Sequence, residues 1–148
     1  MSSKPVYSLI MQIRRSFQRL KTVSEEILQG TGINASQRAI LEFLYQHQSH
    51  TVPQLAECLS VSRQHVQVIV NDLVALGLAR CLENPIHKRS PLIEATPEGV
   101  ALFESIQEKE AEILQQFQQQ LPKKEIQSAL NTLESLNKLL ANFSGKTP

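Results

Sequence analysis

The sequence predicts a mainly α-helical chain interrupted once by a short β-ribbon, and two observations carry that fold class. Apolar residues recur at three- and four-residue steps through most of the 148 residues, the period of helices that bury one face. The exception is CLENPIHKRSPLIEATPEG, residues 81–99, where two strand-like runs flank a turn carrying His87, Lys88 and Arg89 between Pro85 and Pro91. Two prolines that close together suit a stiff turn and oppose a helix.

The first helix is predicted over 5–29. Val6, Leu9, Ile10, Ile13, Phe17, Leu20, Val23 and Ile27 form its apolar stripe, and Gly30 and Gly32 end it. Asn34-Ala35-Ser36 offers caps for a second helix carrying Ile40, Leu41, Phe43 and Leu44, up to a polar break at 47–50. Thr51 caps a short third helix with Leu55, Ala56 and Leu59 facing inward. Pro53 sits in its first turn, where a missing N–H costs nothing. After a three-residue turn, Ser62 caps a fourth helix whose Val66, Ile69, Val70 and Leu73 run inward to a stop at Gly77. Strands are expected at about 78–83 and 91–95. Thr96-Pro97 then opens a fifth helix with Val100, Phe103, Ile106, Ile113, Leu114 and Phe117. Pro122 starts a sixth, with Leu130, Leu133, Leu136, Leu139, Leu140 and Phe143.

Composition narrows the function classes. The length supports one domain with a real core, and no run approaches the roughly 20 apolar residues of a membrane span. Arg14, Arg15 and Arg19 interrupt the apolar positions near the N-terminus. No signal peptide is therefore expected, and the chain reads as cytoplasmic. Cys58 and Cys81 are too few for a disulfide framework or a zinc site. Cys58, beside Leu59, reads as a small buried residue, and His47 and His50 as surface residues. No nucleophile–base arrangement and no glycine-rich phosphate loop is found, so no enzyme, metal or cofactor is expected. The net charge is only +1, but residues 1–24 hold five cations and no acid, whereas 98–112 hold five acids against one lysine. That asymmetry predicts a basic and an acidic face.

The strongest signal is TVPQLAECLSVSRQHVQVIVNDLVALG, residues 51–77. Two helices joined by a tight turn pack at a steep angle, which suits a small residue at the crossing. Ala56 supplies it, Val66 and Ile69 close against it, and Leu55, Leu59 and Val61 are expected to complete the mini-core. This resembles the helix-turn-helix pattern over its full length, with Ser60 where glycine is usual. Serine in the left-handed geometry of that turn costs about 1 kcal/mol.

The opposite face of the fourth helix presents Gln64, Gln67, Val68 and Asn71, with Arg63 beside them. Glutamine can bond an adenine edge through two atoms, arginine a guanine edge or a phosphate, and valine can meet a thymine methyl. Ser62 and the backbone N–H groups behind it suit a phosphate. Lys88 and Arg89 alone would read as a solvated loop. Directly after such a helix they read as the tip of a wing reaching an adjacent minor groove, whose negative potential attracts arginine.

On LAECLSVSRQHVQVIVNDLVALGLA and NPIHKRSPLIEATPEG the chain resembles the MarR family of winged-helix transcription regulators, over nearly its whole length. The second stretch is similar to the family's signature of Asp-x-Arg followed by Leu-Thr-x-x-Gly. Arg89, Thr96 and Gly99 fall on the arginine, threonine and glycine. His87 stands in place of the aspartate that braces the arginine, Ala95 in place of the leucine, and Val68 where arginine is frequent. A protonated His87 would repel Arg89 and make the wing pH-sensitive, against the plainer reading of a solvated loop histidine.

The resemblance implies a winged helix-turn-helix with a two-stranded β wing and N- and C-terminal dimerisation helices. It implies a single domain, 1–148, with a DNA-binding lobe at 33–96 and a helical dimerisation lobe at 5–29 and 97–144. The long apolar stripes of the terminal helices support a homodimer independently, since lone monomers rarely expose such patches. Two-fold symmetry would then select an inverted-repeat operator on double-stranded DNA. The resemblance further implies a repressor released by a small aromatic or anionic effector, with Arg14, Arg15 and Arg19 as anion partners. Redox-sensing relatives carry a cysteine in the first helix, which this chain lacks, so no thiol switch is expected. The alternative from another class is a winged-helix adaptor that binds a protein partner, with little or no specific DNA binding.

Overall fold

The computed structural model describes residues 3–144. The chain termini of the expected 1–148 domain, residues 1–2 and 145–148, lie outside them. In chain order the elements are α1 (Lys4–Leu28), α2 (Ala35–His47), β1 (His50–Thr51), α3 (Val52–Leu59), α4 (Arg63–Ala75), β2 (Ala79–Leu82), β3 (Leu92–Ala95), α5 (Pro97–Gln120) and α6 (Lys123–Ser144). The chain divides into two compact units, Met1–Glu108 and Lys109–Pro148. The division falls inside α5, and α1 is grouped with the elements from α2 to β3.

Local chemistry explains where the helices of the first unit begin and end. Gly30 and Gly32, at φ 78° and 80°, turn the chain out of α1. Asn34 and Gln37 form a reciprocal cap on α2, each backbone N–H donating to the other's side-chain oxygen at 2.9 Å. Thr51 and Gln54 do the same on α3, at 3.3 and 2.9 Å. Ser62 Oγ accepts the His65 N–H at 3.1 Å and starts α4. Each such cap contributes about 1 kcal/mol.

Ser60 ends α3 in the left-handed region (φ 55°, ψ 44°), as the sequence predicts. Glycine there escapes the Cβ cost of about 1 kcal/mol or more but loses more freedom on folding. Ser60→Gly is therefore expected to stabilise the chain by about 0.5 kcal/mol, read as a rise in the denaturant midpoint at unchanged slope. A lower midpoint would sink this account of the turn.

The core of the first unit gathers Ile40, Leu41 and Leu44 of α2, Leu55 and Ala56 of α3, Val66, Val70 and Leu73 of α4, Ala79 and Ile93 of the sheet, and Phe103 and Ile106 of α5. Arg38 lies over the Phe103 ring, 5.5 Å from its centroid, and bonds Glu42 at 2.8 Å. The Tyr45 hydroxyl donates to the Glu104 carboxylate at 3.2 Å. That bond, with the nearby negative charge, holds Tyr45 above the ordinary tyrosine range.

Three expectations need correction. The sheet has three antiparallel strands in the order β1-β3-β2, not two. His50 and Thr51 pair with Ile93 and Leu92, while Thr51 also caps α3 as expected. Val61 is 41% exposed and stands outside the mini-core; it serves the turn through its N–H, which donates to the Ala56 carbonyl at 3.0 Å. Cys58 is exposed. Leu55, Ala56 and Leu59 define the inward direction of α3, and at 100° per residue Cys58 falls about 110° from it.

Within the second unit, α6 has no buried residue among those described. Leu114, Phe117, Leu130, Leu139, Leu140 and Phe143 are all exposed in the single chain, as are Val6, Phe17 and Leu20 on α1 of the first unit.

Candidate nucleic-acid interface

Helix α4 has two faces of opposite character. Val66, Val70 and Leu73 are fully enclosed and Ile69 nearly so, which fixes the rotation of the helix. Arg63, Gln64, Gln67, Val68 and Asn71 are consequently exposed. Val68, 56% exposed, is an apolar side chain in the middle of this polar surface. Gln67 Nε2 donates to Asn71 Oδ1 at 2.8 Å, one turn further on. The pair still offers outward a free amide oxygen on Gln67 and a free amide nitrogen on Asn71. Those are the acceptor and donor that an adenine edge needs.

The wing is built on the β2–β3 hairpin. Its register pairs Ala79 with Ala95 and Leu82 with Leu92. Arg80 and Glu94, directly opposite, form an ion pair at 2.5 Å that ties the two strands. Beyond Leu82 the chain makes a loop whose tip is a turn closed by the Ser90 N–H donating to the His87 carbonyl at 3.1 Å. Lys88 and Arg89 occupy the two corners of that turn, and both are exposed. Among the described residues Arg89 enters no ion pair.

The fold brings several of the sequence-predicted residues together. Arg63, Gln64 and Gln67 of α4 and Arg89 and Ser90 of the wing line one surface groove of about 340 Å³, together with Val52 and Pro53 of α3. Arg63 and Arg89 also face a neighbouring depression of about 720 Å³ shared with Gln54 and His87. Val68 and Asn71 continue the exposed face of α4 outside the groove, and Ser62 stands at the start of that helix. Lys88 lines a separate depression with Cys81, Glu83 and Asn84. Arg14, Arg15 and Arg19 are exposed along α1. They do not line the groove where α1 meets α2, which is formed by Glu25, Leu28, Gln29, Ile33 and the start of α2.

Two features escaped the sequence reading. Ile86, at the wing tip, is 94% exposed, and Asn84 makes two hydrogen bonds inside the wing loop. The Asn84-Pro85 pair is a turn-initiating signal that marks the second. Among the described residues no group of three histidine, cysteine or acidic side chains is placed to hold a metal ion. No described helix is long and apolar enough to cross a membrane.

Known proteins resemble this chain both in sequence and in fold. Residues 31–90 match the model of the MarR family. Over 59 residues the chain is 48% identical to an uncharacterized protein of Mycobacterium tuberculosis, a stretch that spans 40% of this chain and only 41% of that relative's length. The crystal structure of a MarR family transcription regulator superposes with a TM-score of 0.91 at 26% identity, covering 98% of this chain and 96% of the other. The crystal structure of a mutant MarR from E. coli complexed with operator DNA superposes with a TM-score of 0.78 at 23% identity, covering 89% and 95%. Residues 31–90 thus carry the winged-helix segment of the MarR family, and the fold around them is similar to that of a MarR family transcription regulator.

Proposed function

We propose that this chain is a dimeric, sequence-specific reader of double-stranded DNA that regulates transcription. One observation carries the reading: Arg63, Gln64 and Gln67 of α4 and Arg89 of the wing face a single groove, while the other side of α4 is sealed in the core. A helix locked in rotation with hydrogen-bonding side chains outward is suited to a major groove, and a cationic turn beside it to the adjacent minor groove.

In this reading Gln64, Gln67 and Asn71 meet base edges, Val68 a thymine methyl, and Ser62, Arg63 and Lys88 phosphates, while Arg89 enters the minor groove. The exposed apolar residues of α1 and α6 are covered by a second copy of the chain, which sets two α4 helices for an inverted-repeat operator. The DNA-binding lobe is residues 33–96, and residues 5–29 and 97–144 serve dimerisation. The protein acts as a cytoplasmic repressor. A small aromatic or anionic effector held by Arg14, Arg15 or Arg19 releases it by favouring a DNA-incompetent arrangement.

Selection of bound duplexes from a random pool tests the reading. An inverted repeat should be recovered. Gln64→Ala should relax the choice at one base position of each half-site and weaken binding by about 10- to 100-fold, the weight of one base contact. Arg89→Ala should weaken binding without relaxing a major-groove position. Recovery of no motif by the unaltered protein would overturn the proposal in favour of the protein-binding adaptor.

A further inference from the structure

The wing presents Arg89 from a turn that its own side chain does nothing to hold. What ties the loop together is a circuit of hydrogen bonds through Asn84. This residue follows β2 at the base of the loop and is half-buried. Its Oδ1 accepts the Ile86 N–H at 3.2 Å, on the outgoing side of the tip. Its Nδ2 donates to the Ser90 carbonyl at 2.9 Å, on the returning side. The Ser90 N–H closes the circuit by donating to the His87 carbonyl at 3.1 Å. Pro85, between the first two partners, has its φ fixed by its ring.

The chemistry of the amide is needed in full. The bond to Ile86 requires an acceptor and the bond to Ser90 a donor, and the asparagine amide carries the two on separate atoms, one for each side of the tip. Reversing the amide would set a donor against an N–H and an oxygen against a carbonyl. Position 87, where the family resemblance places a bracing aspartate, is histidine here. Its backbone carbonyl, not its ring, takes part in the circuit.

We propose that Asn84 is the positioning residue of the wing: by tying both sides of the tip it holds Arg89 toward the groove that Arg63 and Gln64 also face. The inference rests on the DNA-binding reading above, and the two are separated by measuring the loop and the complex independently. In the free full-length protein, ¹⁵N relaxation should give rigid amides from 86 to 90. In Asn84→Ala their order parameters should fall below about 0.6 while those of α4 stay near 0.85. Asn84→Asp should loosen the loop equally, because a carboxylate keeps the Ile86 bond but cannot donate to Ser90; a merely space-filling role would be rescued by it. Arg89→Ala should leave the loop rigid.

On the selected duplex, Asn84→Ala should weaken binding by about 10-fold, and adding it to a chain that carries both Lys88→Ala and Arg89→Ala should cost nothing further, since it acts only through the two cations of that turn. Unchanged order parameters, rescue by aspartate, or a further loss in the combined variant would each overturn the proposal. Should the loop respond as expected while the unaltered protein selects no duplex, the DNA-binding reading has failed and the positioning role falls with it. A loop that does not respond in a protein that does select its operator sinks the Asn84 proposal alone.

Discussion

A Gly99→Ala chain is expected to be less stable by about 2–3 kcal/mol, a fall of roughly 4–12 °C in melting temperature. Gly99 is buried in the first turn of α5. A Cβ there would be driven into the Leu78 carbonyl oxygen, with the carbonyl carbon 3.0 Å and Cα 3.3 Å away. The obstacle is backbone, so no side-chain rotation relieves it. The same oxygen accepts the Thr96 N–H at 3.1 Å. The Thr96 hydroxyl donates to the Gly77 carbonyl at 2.6 Å and accepts the Gly99 N–H at 3.1 Å.

Displacing Leu78 therefore strains several bonds at the base of the wing, next to the first rung of the hairpin, Ala79 with Ala95. Helix propensity opposes this result, since alanine is better than glycine by up to about 1 kcal/mol. The clash outweighs it, because overpacking costs about 1–3 kcal/mol and the lost hydrogen bonds add to that. Glu98→Ala, in the same turn but exposed, is the control and should change stability by no more than about 0.5 kcal/mol. A Gly99→Ala chain that melts at or above the original would show that α5 can move away from Leu78 at little cost.

The same corner of the molecule shows why some of the fold is legible in sequence and some is not. Thr96-Pro97, Thr51-x-x-Gln54 and Asn34-x-x-Gln37 are local signals whose partners lie within a turn of the helix they start, so reading them requires no knowledge of the rest of the chain. The buried stripe of α4 is legible for the same reason, and its exposed face follows by subtraction. What stays hidden is non-local. Strand β1 is two residues long, too short to show an alternating pattern, and exists only because β3, some forty residues on, offers it a partner. The close approach of Gly99 to Leu78 likewise joins two elements across the wing. Cys58 and Val61 neighbour core residues in sequence, but helical angle and the left-handed turn at Ser60 leave both exposed. In the candidate site the charged and amide groups were legible residue by residue. Their shared groove and the Asn84 circuit became visible only once the loop was folded back on itself.

Binding to the selected duplex is expected to weaken by about 10³-fold between roughly 50 and 200 mM salt. In the proposed complex Arg63, Lys88 and Arg89 would give each protomer three cations at the DNA, and the proposed dimer six. Each neutralised phosphate releases counterions, so the logarithm of affinity should fall with the logarithm of salt at a slope of about −5. The formal charge of +1 on the whole chain does not weaken the expectation, because the effect counts local phosphate contacts and not net charge. Lys88→Ala should flatten the slope by about 2, one contact in each protomer, while leaving the selected sequence unchanged. Gln64→Ala should relax the sequence and leave the slope alone, since an amide releases no counterion. That opposite pairing of effects separates a base-reading residue from a phosphate-binding one within one titration series. It also separates the two classes of function, because an adaptor would bind DNA weakly, with no dependence on sequence and no slope that these variants divide.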